Sequence, residues 1–144
     1  IRVATLSGMS GSVGSKKVSL DTLIKVPGDT RIVTQIAKEI REVKIEGVVF
    51  LDGDRHHTVL SKMQESEDVY PLYDLTCSSL TAGANKDDES YNKYSLKETL
   101  VGINNFGMLN VTGPAKDREL TIKIFDKDGY ELWKKSIKAN DLKY

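Results

Sequence analysis

The feature that most constrains this chain is an abrupt hand-over within Gly47-Val48-Val49-Phe50-Leu51-Asp52-Gly53-Asp54-Arg55-His56-His57. Four large apolar residues in succession, three of them β-favouring, predict a strand buried on both faces. Acids, a glycine and the only two histidines follow at once. They are expected at the carboxyl end of that strand, where open α/β sheets hold their ligands. Asp54 and His56 lie two residues apart, so continued strand geometry would send both side chains to the same side. A carboxylate and an imidazole so placed are two ligands for a metal ion. The competing reading is a solvated turn, because Asp-Gly is also ordinary turn chemistry.

The flanking chain fits an α/β layer. Asp29 or Thr30, behind the breakers Pro27-Gly28, can cap a helix in which Ile32, Ile36, Ile40 and Val43 recur at helical spacing. Val33 and Ala37 widen its apolar stripe, and Lys38 and Glu42 form an i, i+4 pair on its polar side. A helix leading into a strand is the order such a layer requires. Ile1 to Leu6 alternates as a short strand. Ser7 to Ser15 is rich in Gly and Ser and matches neither a P-loop nor GxGxxG, so it is expected to be a flexible surface connector. Val18 to Val26 stays open between strand and loop.

Downstream, Thr58 to Met63 reads as a short strand or a turn of helix, Tyr70 to Leu80 as a strand, and Asn85 to Lys97 as an exposed polar loop. Val101 to Val111 reads as a further strand, in which Gly107 marks the close approach of another backbone. Glu119 to Phe125 and Tyr130 to Ile137 flank Asp126-Lys127-Asp128-Gly129, a hairpin signature, with Trp133 as its anchor to the sheet. A calcium loop of the EF-hand type is excluded there, since it needs an acid where Ile124 stands and a helix where Leu120 to Phe125 reads as strand.

With 39% hydrophobic and 29% charged residues, the chain is globular. Lys+Arg and Asp+Glu both number 21, a balance that supplies no electrostatic footprint for nucleic acid or an anionic membrane. No apolar run approaches the ~18–20 residues of a membrane span. The one cysteine, Cys77, permits no internal disulfide and is expected to be a buried apolar residue. Ile1 in place of methionine, with no signal-peptide pattern after it, reads as a trimmed or processed start.

Three segments also carry a family resemblance. Val48-Val49-Phe50-Leu51-Asp52-Gly53-Asp54-Arg55-His56 resembles the "vvfLSGDrH" segment of alkaline phosphatase D-type enzymes, a branch of the calcineurin-like metallophosphoesterases. Val69-Tyr70-Pro71-Leu72-Tyr73-Asp74-Leu75-Thr76-Cys77-Ser78-Ser79-Leu80-Thr81-Ala82-Gly83 is similar to that family's "yPlyElTsSpLTaG" segment, and Asn104-Asn105-Phe106-Gly107-Met108-Leu109 to its "nnFGll" strand. The resemblance runs from about Thr30 to the C-terminus.

It implies an α/β fold, the C-terminal half of an αββα sandwich, with a mixed sheet and a C-terminal antiparallel hairpin. Residues 1–29 would be an N-terminal strand and a flexible Gly/Ser-rich segment, and residues 30–144 the C-terminal part of the domain. It further implies hydrolysis of phosphate mono- or diesters at a two-metal site of divalent or trivalent ions, with calcium, iron, manganese or zinc as candidates. Asp54 and His56 would be metal ligands, at the positions of the two histidines of the wider superfamily's GHxH motif. His56 would be the catalytic residue and Arg55 a contact to substrate phosphate. His57 stands where an aromatic is commoner and takes no ligand role.

The family's earlier motifs, an Asp-containing first strand and the GDxxY-like and GNHE/D-like segments, do not occur here. The chain is therefore expected to be the C-terminal part of an exported or envelope-associated enzyme, inactive without its N-terminal half. The hydroxyls of Ser78, Ser79 and Thr81 have no basic partner nearby in sequence and are expected to bond loop backbone. The alternative to an enzyme is a small non-catalytic α/β module in which Asp54 forms a turn.

Overall fold

A computed structural model describes residues 2–5, 11–13, 16–18, 38–64, 66–85 and 92–144. Its strands are β1 (Arg2–Thr5), β2 (Gly11–Val13), β3 (Lys16–Val18), β4 (Val48–Asp52), β5 (Thr58–Met63), β6 (Leu72–Cys77), β7 (Asn105–Thr112), β8 (Glu119–Asp126) and β9 (Glu131–Lys138). Single 3-10 turns occupy Lys97–Thr99 and Ala139–Leu142.

The first sheet has the order β1-β4-β6-β5, with β1, β4 and β6 parallel and β5 antiparallel to β6. β4 is thus flanked on both sides, and Val48, Val49 and Phe50 are all buried, as an apolar run without alternation requires. Thr58 to Met63 is a strand. The second sheet is the antiparallel meander β7-β8-β9. Along β8, Leu120, Ile122 and Ile124 are each 0% exposed, while Glu119, Thr121 and Lys123 alternate with them on the other face. Both sheets contribute to one core, in which Val49, Leu60 and Leu75 join Leu120, Ile122, Ile124 and Ile137.

Of the helix expected from residue 30 to Val43, residues 38–42 are helical and 30–37 lie outside the described residues. Ile40 is buried in the core, and Lys38 pairs with Glu42 at 3.7 Å on the exposed side. Val43 departs from the expected stripe, being 67% exposed. The helix ends beside it: Lys44 adopts φ +50° and the Ile45 N–H bonds back to Ile40 O. The Ser7–Ser15 tract is likewise not a plain connector, since β2 within it pairs with β3 in register Gly11↔Val18 and Val13↔Lys16. Residues 19–26 and 86–91 lie outside the described residues.

The C-terminal hairpin forms as expected. Asp126 Oδ1 accepts the N–H groups of Asp128 and Tyr130, each at 2.9 Å, and Gly129 takes φ +90°. Trp133 sits opposite Ile124 and is half-buried against the core. Gly107 does mark a close approach, but of side chains. A Cβ there would lie 3.1 Å from Ile124 Cδ1 and 3.2 Å from Cys77 Sγ, so a methyl group would require both side chains to give way by a few tenths of an ångström. The architecture is mixed α/β with a mixed sheet and a C-terminal antiparallel hairpin. Among the described residues, no helix is long and apolar enough to cross a membrane.

Candidate functional site

The site candidates stand where the sequence puts them, beyond the carboxyl end of the central strand. β4 stops at Asp52, whose Oδ1 accepts the N–H of Gly53 at 2.7 Å and turns the chain. Beyond it Asp54 and His56 both occupy left-handed backbone, at φ +65° and +60°. Strand alternation therefore does not reach them, and the expectation that it would align their side chains is corrected. Non-glycine residues in this region cost of order 1 kcal/mol each, and the surrounding structure has to hold them there. Asp54 and His56 are exposed, Arg55 between them is half-buried, and His57 is fully buried.

What holds the loop is a second loop, residues 78–85, at the end of the neighbouring parallel strand β6. The His56 N–H donates to Ser78 Oγ at 2.7 Å, and His56 O accepts from Ser79 Oγ at 2.9 Å and from the Asn85 N–H at 2.6 Å. The Ser78 N–H reaches His57 O at 3.3 Å. Both serine hydroxyls thus serve loop backbone, as expected. The His56 ring is tied as well, with Nδ1 2.8 Å from Gly83 O. A carbonyl oxygen can only accept, so Nδ1 carries the proton of this bond, and the neutral ring keeps Nε2 as its acceptor nitrogen. Metal-bound imidazoles are oriented in the same manner.

The second loop is braced in turn by the start of β7. Asn104 Nδ2 donates to Ser79 O at 3.0 Å, Leu80 O at 3.3 Å and Ala82 O at 3.0 Å. Asn105, 1% exposed, donates through Nδ2 to Ser78 O and Ile103 O, and its Oδ1 accepts from Thr58 Oγ1 at 2.6 Å. The segments Val48–His56, Val69–Gly83 and Asn104–Leu109, distant in sequence, meet at this one corner of the fold.

Beside it lies a cleft of about 320 Å³ lined by Asp52, Leu75, Cys77, Ser78, Asn105 and Gly107, among others. Asp54, Arg55 and His56 are not part of its lining, whereas Asp52 is, a carboxylate that carried no assigned role in the sequence. The Cys77 thiol is pushed up by burial, with hydrogen bonds from Thr58 and Gly107 opposing the shift. It stays protonated at neutral pH, which suits a packing residue rather than a nucleophile.

As metal ligands, Asp54 and His56 offer one carboxylate and one imidazole. Zinc and iron suit an imidazole and manganese a carboxylate, whereas calcium, which takes oxygen ligands, fits this pair least well. Among the described residues no three His, Cys, Asp or Glu side chains gather at one point. Sequence reading missed Asn104, Asn105, Thr58 and the Gly83 carbonyl. The one pointer to them in the sequence is the Asn104-Asn105 pair at the head of a strand. No family model, no curated protein and no solved structure matches this chain.

Proposed function

We propose that this chain is the C-terminal part of an alkaline phosphatase D-like metallophosphoesterase, and that it supplies Asp54 and His56 to a metal site that hydrolyses phosphate mono- or diesters. The observation that carries this reading is convergence. The three segments that resemble the family meet at the ends of parallel strands, around an imidazole whose Nδ1 is held by a backbone carbonyl. On this reading the domain is half of an αββα sandwich.

Metal ions bound there would polarise the phosphoryl group and lower the pKa of an attacking water. The chain's own part is to hold ligands. His56 offers Nε2 as acceptor, Asp54 offers an exposed carboxylate, and the loop of residues 78–85 fixes the backbone of His56. Arg55 supplies a guanidinium for a phosphate oxygen, which it can meet in bidentate fashion.

Two ligands do not complete a two-metal site, whose ions lie ~3.5–4 Å apart and share several donors. The remaining donors come from an N-terminal half of the same domain. The chain alone is expected to hydrolyse aryl phosphate mono- and diesters no faster than a metal-only blank. Supplying that half, in cis or as a separate polypeptide, is expected to restore turnover, and His56→Ala to abolish most of it. Metal-dependent hydrolysis by residues 1–144 alone that survives His56→Ala overturns the proposal.

A further inference from the structure

The exposed His56 ring makes a single hydrogen bond among the described residues, to a carbonyl in an irregular loop. Such a loop does not hold a carbonyl in place without help, because it has no ladder to lock its backbone. The help here is specific. The side-chain amide of Asn104 reaches the carbonyls of residues 79, 80 and 82, the positions leading directly into Gly83. Its own backbone carbonyl accepts the Lys127 N–H at 3.1 Å, which anchors it to the turn between β8 and β9. Three acceptor carbonyls around one terminal group also settle its orientation, since only the NH2 end can satisfy them.

We infer that Asn104 is the positioning residue of this site. By bracing the 79–82 backbone it aims Gly83 O at the His56 ring, and so selects the tautomer in which Nε2 is the free acceptor. Asn104 makes no hydrogen bond to His56 and acts through the loop. The tautomer follows from these contacts alone. Only its use, presenting Nε2 to a metal, rests on the function proposed above.

The test reads the tautomer directly, by long-range proton–nitrogen correlation on the intact chain labelled with ¹⁵N-histidine, at a pH where the rings are neutral. Signals are assigned with His56→Gln. Wild-type His56 is expected to be predominantly Nδ1–H. Asn104→Ala, and Asn104→Asp, which keeps the shape but loses both donors, are expected to lower the Nδ1–H to Nε2–H ratio about tenfold, the weight of one hydrogen bond. The amide spectrum of β4, β6 and β8 should stay unchanged. An unaltered tautomer in either folded variant overturns the inference. Should both variants fail to fold, the wild-type chain still decides. Slowed exchange of the Asn104 side-chain amide protons, with couplings into the carbonyls of Ser79 and Ala82, supports the brace, and free rotation of that amide overturns it. A tautomer that shifts as expected in a chain whose His56 ignores added Zn²⁺ would sink the metal reading and leave this one standing.

Discussion

Thr58 donates its hydroxyl to Asn105 Oδ1 at 2.6 Å, a bond between side chains 0% and 1% exposed and 47 residues apart. It joins the start of β5 to the start of β7, and through Asn105 Nδ2 it continues to Ser78 O behind the His56 loop. Replacing Thr58 by Val keeps the shape and strands a buried amide oxygen, whose other contact is Cys77 Sγ at 3.8 Å. The expected loss is about 1–3 kcal/mol. Urea unfolding of Thr58→Val checks it, and an unchanged midpoint would show that the bond contributes nothing.

Gly107 sits where β7 passes over β6. A valine there would have to displace Ile124 Cδ1 and Cys77 Sγ, both within 3.2 Å of its Cβ. Overpacking of this kind costs about 1–3 kcal/mol. A melting temperature for Gly107→Val equal to that of the parent would show that the two sheets part easily.

Trp133 is half-buried, and its Nε1 lies buried without a hydrogen-bond partner among the described residues. The ring therefore contributes by packing alone. Trp133→Phe, which removes the unpaired donor, is expected to change stability by less than about 1.5 kcal/mol, and Trp133→Ala to cost about 2–3 kcal/mol, below the ~3–5 of a fully buried ring. Equal losses in the two variants would mean that the indole N–H is used.

Tyr70 donates its hydroxyl to Ile45 O at 2.6 Å and meets Tyr144 edge-on at 5.1 Å. Burial, reinforced by the neighbouring Tyr144, pushes its pKa up from 10.0 to about 12. The folded chain keeps this proton where the unfolded chain has lost it. The stabilisation is complete below pH 10 and fades as pH rises toward about 12, by about 1.4 kcal/mol per pH unit. Denaturant midpoints from pH 9 to 12 should show this decline, and Tyr70→Phe should make it shallower, leaving the part due to Tyr73, Cys77 and Tyr144, which burial also pushes up. A slope in Tyr70→Phe as steep as in the parent chain would place the titration elsewhere.

Much of the scaffold was legible in the sequence because it follows from short-range pattern. The unbroken run Val48 to Leu51 demanded burial on both faces, and Asp126 to Gly129 carried its own turn chemistry. The corner around His56 was legible only as a location. Strand alternation ended at Asp52, two residues before it was needed, and nothing in spacing says that Asp54 and His56 will take positive φ. The brace by Asn104 and Asn105 was invisible for a different reason. Its bonds run from side-chain amides to backbone 22–27 residues away, and such contacts leave no periodicity. The pairing of Gly11–Val13 with Lys16–Val18 escaped because strands of three residues are too short to show an alternation.

Whether Asp54 and His56 hold a metal is read most directly by a Zn²⁺ titration of the intact chain, followed at the imidazole nitrogens of its two histidines. The expected result is a response confined to Nε2 of His56, with affinity falling at least about tenfold in both His56→Ala and Asp54→Asn. Zinc bound as tightly by those variants as by the parent chain, or no response at His56 up to millimolar metal, would contradict it.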